Sequence, residues 1–161
     1  MKKRIISILI IAFTCVILLT GCSATAATRP QPQDGTEISS ITGECSAYAD
    51  GGKVVVSAAS DIETGTNGTL SVYSAAGKEL AKQDITQGEK NSELTCEFTI
   101  EKDWPDDVFG YLVFDTDQSQ KQPEEITALY GKQFENIQGD NVVWSSKGCA
   151  VVFQSELVHV R

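Results

Sequence analysis

The stretch ELTCEFTIE, residues 93–101, alternates strictly between two kinds of side chain. Leu94, Cys96, Phe98 and Ile100 are apolar, and the residues between and beside them are polar or charged. Successive side chains of a β-strand point to opposite faces, so this pattern predicts a strand with one buried face and one solvated face. A half-buried strand of this kind is typical of an antiparallel sheet that packs on its apolar side.

Other segments with β-branched residues and short-range alternation lie on both sides of this stretch, separated by turn-forming residues. These predicted strands are 44–48, 53–60, 69–77, a weaker one at 78–85, the apolar run 108–116, and one or two within 141–160. Asp50-Gly51-Gly52 and Ser146-Lys147-Gly148 are predicted turns, and Asn67-Gly68 is expected to form a turn before a strand that starts at Thr69. Seven or so short strands predict an all-β fold, an antiparallel β-sandwich.

One helical pattern interrupts the strands, in QPEEITALYGKQFENI at 122–137. Pro123 suits a first helical position, and the two glutamates after it lie at the positive end of the helix dipole. Apolar residues then follow at helical spacing up to Gly131, which is expected to end the helix. We therefore expect one short helix before the last strands, packed over one end of the sandwich; a docking element for a partner is the alternative.

Three segments in sequence resemble an immunoglobulin-like or fibronectin-type sandwich of the kind found in bacterial surface lipoproteins. They are GTNGTLSVYSAAGKEL (65–80), TCEFTI (95–100) and WPDDVFGYLVFD (104–115). The resemblance implies that Tyr111 has a place like that of the tyrosine corner. The two strands that would carry the antibody-type disulfide, near Val56 and Leu112, hold no cysteine. This architecture hosts many functions, so the resemblance implies none in particular.

The N-terminal segment has the composition of a signal sequence. Three cations at 2–4 precede an apolar run at 5–19, which is shorter than a membrane-spanning helix of about 20 residues. Leu19-Thr20-Gly21-Cys22 then resembles the bacterial lipobox, whose cysteine receives a diacylglycerol while the preceding peptide is removed. The resemblance implies a protein held to the lipid bilayer through an acylated Cys22, on the extracytoplasmic face of the cell membrane. An uncleaved anchor and an ordinary secretory signal are the alternatives.

These patterns divide the chain into a signal peptide at 1–21, a lipidated N-terminus with a flexible linker at 22–37, and a β-sandwich domain at 38–161. The linker is polar and proline-containing, and it has too few apolar side chains to fold by itself. Removal of the signal leaves ten basic against 22 acidic residues, a formal charge of −12. A surface so acidic repels the phosphates of nucleic acid, so we expect no nucleic-acid partner.

Three cysteines remain in the domain, Cys45, Cys96 and Cys149. Cys45 lies near its first strand and Cys149 near its last, and such strands often neighbour each other, so these two are the candidates for a disulfide in an oxidising compartment. Cys96 is on the apolar face of its strand, where a thiol behaves as a small hydrophobe. Their spacings contain no paired-ligand motif, so we expect no metal site and no cofactor.

The sequence offers little for catalysis. His159 is the single histidine of the chain, and neither a G-x-S-x-G elbow nor a glycine-rich phosphate loop is present. The segment 115–119 begins like a calcium loop, but Gln120 stands where its glycine belongs and Ile126 where its bidentate glutamate belongs. We therefore expect a protein that is not an enzyme.

Two binding functions agree with these features. The first is an envelope-accessory module that contacts an unidentified extracytoplasmic protein or glycan, with Trp144, Tyr130 or Tyr73 as possible aromatic contacts. The second is a membrane-tethered inhibitor, immunity or sensory-accessory protein that binds one specific factor. A contiguous exposed aromatic patch would favour the first, and a concentrated acidic face the second.

Overall fold

The computed structural model describes residues 28–32, 35–118 and 120–161 of the chain. The predicted signal peptide, the lipobox and Cys22 lie outside these residues. Eleven strands and one helix, α1, follow one another along the described chain. The elements are β1 Ser39–Ser40, β2 Gly43–Asp50, β3 Lys53–Ser60, β4 Asn67–Ser74, β5 Glu79–Thr86, β6 Leu94–Thr99, β7 Asp107–Phe114, α1 Glu124–Tyr130, β8 Ile137–Gln138, β9 Val142–Ser145, β10 Gly148–Gln154 and β11 Val158–His159.

Two antiparallel sheets form the body of the domain. The larger has the order β5-β4-β7-β10-β9, with β11 also paired to β7. The smaller has the order β2-β3-β6. A separate parallel pair, β1 with β8, joins Ser39 to Ile137 and Ser40 to Gln138. The all-β, sandwich-like fold with one short helix before the last strands is confirmed, and the parallel pair is an addition that the strand pattern did not predict.

The core lies between the two sheets, because each central strand turns alternate side chains inward. Strand β6 follows its predicted alternation: Cys96 and Phe98 are buried, while Glu97 and Thr99 are exposed. From the smaller sheet β3 adds Val54 and Val56, which are fully buried. The opposing strands contribute a further set of apolar side chains: Leu70, Val72, Val108, Leu112, Phe114, Val151 and Phe153.

Helix α1 packs over one end of the core, as expected from its pattern. Ile126 and Tyr130 are buried, and Tyr130 Oη accepts a hydrogen bond of 2.9 Å from the Glu63 N–H in the loop between β3 and β4. Gly131 ends the helix with φ = 87°, a left-handed conformation that glycine adopts at little cost. The hydrogen bond to Tyr130 therefore ties the helix to the loop between β3 and β4.

The turn expected at Asn67-Gly68 is wrong, because both residues belong to β4 and pair with Thr86 and Ile85 of β5. The Asn67 side chain is buried and donates to the Lys121 carbonyl over 2.8 Å. A Cβ on Gly68 would lie 2.5 Å from Cδ1 of the Phe114 ring, so glycine here permits the close approach of β4 and β7.

Candidate functional site

The outward face of the larger sheet carries partly exposed apolar side chains that neighbouring strands bring together. Along β7 the burial alternates, so that Phe109, Tyr111 and Val113 point away from the core. Strand β4 adds Tyr73 beside Phe109, and β10 adds Val152 opposite Val113. In most antiparallel sheets with one buried face, such outward positions are polar. This face is therefore the candidate site.

The outward face has a groove with a volume of about 210 Å³. Its apolar lining comes from four adjacent strands and includes two tyrosines, a tryptophan and small aliphatic side chains. These residues are Tyr73, Tyr111, Val113, Val143, Trp144, Ala150 and Val152. Asp115, Ser145 and Gly148 complete the lining. We call this feature the apolar groove.

Two tyrosines and a phenylalanine form one side of the groove as a connected aromatic row. The Tyr73 and Tyr111 ring centroids are 5.2 Å apart, and those of Phe109 and Tyr111 are 6.5 Å apart, both in edge-to-face geometry. Tyr73 donates to Glu79 Oε2 over 2.9 Å. Burial, followed by the neighbouring Glu79, raises the pKa of the Tyr73 phenol, and burial raises the pKa of Tyr111 to about 12. Both phenols therefore stay protonated at neutral pH and can donate hydrogen bonds.

A second depression, rich in carboxylates, adjoins the apolar groove and shares Tyr73, Val113 and Asp115 with it. Its charged lining consists of four acidic residues and one lysine: Glu79, Asp84, Asp115, Asp117 and Lys82. Asp115 Oδ1 accepts hydrogen bonds from the Asp117 N–H (2.9 Å) and from Gln118 Nε2 (2.8 Å). We call this feature the acidic depression.

The opposite side of the apolar groove is the edge strand β9 with Trp144, whose surface is 46% exposed. The Arg29 guanidinium carbon lies 5.9 Å from the centroid of the Trp144 ring. Arg29 Nη2 also donates to the Ile137 carbonyl over 2.5 Å. Arg29 belongs to the segment 22–37, which was predicted to be a flexible linker. The two contacts show that at least this side chain of the segment lies against the domain.

The structure describes free thiols at all three cysteines of the domain, including Cys45 and Cys149, for which a disulfide was expected. Strand β2 belongs to the smaller sheet and β10 to the larger one, so a bond between Cys45 and Cys149 would have to join the two sheets, as the antibody-type disulfide does. Burial raises the pKa of the Cys45 thiol to about 12, with smaller opposing effects from the Leu112 and Ser155 backbones. Burial also raises the pKa of the Cys96 thiol. It raises the pKa of the Cys149 thiol as well, although the nearby Arg29 partly offsets this effect.

The other residues proposed from the sequence are spread over the molecule. Tyr73 and Trp144 line the groove, but Tyr130 is 2% exposed and is no surface contact, which corrects that expectation. His159 Nδ1 lies 2.9 Å from Asp107 Oδ1 on the exposed end of β11. Within the described part of the chain, no group of three or more His, Cys, Asp or Glu side chains is placed to share a metal ion.

Sequence reasoning missed most of the groove. Its aliphatic lining, Val113, Val143, Ala150 and Val152, carries no chemical motif, and it is assembled by pairing of β7, β9 and β10. The usable signal was the apolar character of outward positions in the predicted strand 108–116. No helix of the described residues has the length and hydropathy of a membrane span. No protein-family model, curated protein or solved structure matches the chain.

Proposed function

We propose that the protein is a non-enzymatic binding module, held at the extracytoplasmic face of the cell membrane by an acylated Cys22. It binds a protein or glycan of the cell envelope through the outward face of its larger sheet. The observation that carries this proposal is the apolar groove, because binding is favoured when a ligand displaces water from a recess lined by tyrosine and aliphatic residues. The lipobox at 19–22 supports the location.

The chemistry of the groove supports binding rather than catalysis. Its lining includes neither histidine nor cysteine, and its one carboxylate is that of Asp115. Asp115 accepts two hydrogen bonds from its own loop, and these hold its carboxylate in place. The lining therefore offers apolar area, aromatic edges and a carboxylate, which are the parts of a recognition surface.

The anchor is tested with the Cys22→Ala variant in a bacterium that acylates lipoproteins. We expect the wild type to incorporate a labelled fatty acid and to sediment with membranes, and the variant to lose the label and to appear in the soluble fraction. Ser23→Ala is the matched control, since it changes the neighbouring residue and leaves the thiol. Retention of the Cys22→Ala variant in the membrane with a label elsewhere would contradict the anchor.

The binding face is tested by photo-crosslinking in intact cells. A photoreactive amino acid replaces Val113 in the groove or, as the control, Tyr48, which is 55% exposed on the smaller sheet. We expect a discrete crosslinked product from position 113 that position 48 does not give. Equal products from both positions, or a product from position 48 alone, would refute binding through the groove.

A tethered inhibitor, immunity or sensory-accessory protein is the second candidate, and the acidic depression favours it, since carboxylates can compete for the cationic surface of one specific factor. The two candidates differ in what happens to the partner. The purified protein should change the activity of a partner that it inhibits and should leave the activity of an envelope ligand unchanged. An activity assay of the crosslinked partner separates them.

A further inference from the structure

The apolar groove and the acidic depression form one continuous surface, because Tyr73, Val113 and Asp115 line both. A ligand that fills the groove therefore extends toward carboxylates. The boundary residue Asp115 is the first residue after β7, so the sheet fixes the distance between the apolar lining and its charge. The apolar groove and the acidic depression can therefore contact adjacent groups of one ligand.

The charge of this surface is unbalanced. Glu79 pairs with Lys82 at 3.2 Å, and Asp117 pairs with Lys147. None of the ion pairs among the described residues involves Asp115, and the hydrogen bonds that it accepts come from neutral donors. The pKa of Lys147 is raised by its pair with Asp117 and also by the charge of Asp115, so this lysine offsets part of that charge. A carboxylate beside an aromatic recess attracts a cation, and the faces of tyrosine rings add a cation–π attraction at short range. The site therefore favours a basic group.

The lining also distinguishes a peptide from a glycan. Val113, Val143, Ala150 and Val152 present no donor or acceptor from their side chains, and burying a sugar hydroxyl there without a partner would cost free energy. An aliphatic or aromatic side chain has no such cost, and it gains from the area that it removes from water. The groove thus suits an apolar side chain, and the acidic depression suits the cation beside it.

We propose that the site binds an unstructured polypeptide segment in which a lysine or arginine lies within one or two residues of a leucine, phenylalanine or tryptophan. The apolar side chain occupies the groove, and the basic group lies against Asp115. This inference rests on the proposed function, since it names the ligand of the same face. It also excludes acidic segments, which the depression repels.

The test is selection of a phage-displayed library of random dodecapeptides on the full chain, purified from membranes in detergent. We expect the selected peptides to be enriched in a basic residue next to an apolar one. Asp115→Asn keeps the oxygen that accepts the two loop hydrogen bonds and removes the charge, so it should weaken a selected peptide about two- to fivefold, less at high salt. Ala150→Trp fills the groove and should weaken it about tenfold or more.

Glu44→Gln is the matched control, because it removes one charge from an exposed position on the smaller sheet and should leave peptide affinity unchanged. Thermal unfolding establishes that each variant is folded. Selection of acidic or purely neutral peptides, or equal weakening by Asp115→Asn and Glu44→Gln, would overturn the inference.

A parallel binding assay with peptidoglycan fragments and other bacterial polysaccharides tests the peptide ligand and the proposed binding face separately. Polysaccharide binding that Ala150→Trp abolishes, without peptide selection, overturns the peptide ligand and leaves the proposed binding face intact. Absence of any ligand that Ala150→Trp weakens, of either kind, overturns both.

Discussion

Burial controls the reactivity of the three cysteines in the domain. Cys96 and Cys149 are buried, Cys45 is half-buried, and burial raises the pKa of each thiol. The thiolate is the reactive form, so a raised pKa leaves little of it at neutral pH. These side chains therefore act as packing groups.

We expect all three thiols of the domain to react with a thiol reagent in denaturant without reductant, and to react slowly at pH 8 in the native protein. The measurement is the stoichiometry and rate of labelling. Cys45→Ala should lower the count in denaturant to two. A single reactive thiol in the denatured wild type would instead reveal a disulfide.

The close approach at Gly68 gives a second test at this scale. A Cβ at this position would lie 2.5 Å from the Phe114 ring and 2.6 Å from the Val113 carbonyl oxygen, so Gly68→Ala should lower the free energy of unfolding by about 1 to 3 kcal/mol. Gly88→Ala is the control, because the nearest atom to its Cβ is the Ser92 hydroxyl at 3.3 Å, and it should change stability by less than about 0.5 kcal/mol. Denaturant unfolding that ranks the two variants equally would contradict the packing.

Among the elements, helix α1 is joined to the loop between β3 and β4 by the hydrogen bond of one buried phenol. Tyr130→Phe removes the acceptor of the Glu63 N–H and leaves that donor without its partner, so we expect a loss of about 1 to 2 kcal/mol in the free energy of unfolding. Tyr48→Phe, on an exposed side chain, should change stability by less than about 0.5 kcal/mol. Equal unfolding midpoints for wild type and Tyr130→Phe would show that the hydrogen bond contributes nothing.

The strands and the helix could be predicted from the sequence because their signals are local. Alternation over 93–101 and the proline, glutamate and glycine positions around α1 each lie within one element. Which strands share a sheet is set by contacts between distant residues, and the same patterns fit many topologies. The placement of β2 and β10 in different sheets is of this kind.

The candidate site was predictable only in part, for the same reason. Tyr73 and Trp144, singled out from the sequence as possible contacts, do line the groove. Tyr130 does not, because the packing of α1 buries it, and the sequence pattern did not show which way that side chain faces. The Asn67-Gly68 pair misled because a dipeptide typical of turns also fits where two strands approach closely. Ala150 and Val152 line the groove only because β10 pairs with β7 and β9, which the local sequence does not show.

For the whole molecule, the raised pKa values predict instability in alkali. An ordinary thiol titrates near 9.0 and an ordinary phenol near 10.0, whereas folding raises the pKa of both Cys45 and Tyr111 to about 12. As pH rises above 9 the unfolded chain loses these protons first, so the stabilisation present below pH 9 is lost as pH approaches 12. The free energy of unfolding should fall from pH 9 to 11, less steeply in Tyr111→Phe. A constant value over this range would contradict the burial of these groups.

The contact between Arg29 and the domain is a further property of the whole chain. Arg29→Ala removes a charged donor to the Ile137 carbonyl and the cation over Trp144, so we expect a loss of about 1 to 2 kcal/mol in the free energy of unfolding. Gln31→Ala is the control, because Gln31 donates only to the Arg29 carbonyl of its own segment. If both variants unfold at the wild-type midpoint, the segment is not attached at this point.

If Cys22 carries a lipid, as proposed, the contact of Arg29 with the domain limits how far the domain can stand from the bilayer. Position 29 follows position 22 by seven residues, and seven residues of fully extended chain span about 25 Å. With a lipid on Cys22, this short stretch rather than the whole segment up to residue 37 would separate the bilayer from the first contact with the domain. The domain would then stay close to the membrane surface, and release of Arg29 would let it stand farther away. Such an anchored protein would favour partners that are themselves embedded in the membrane.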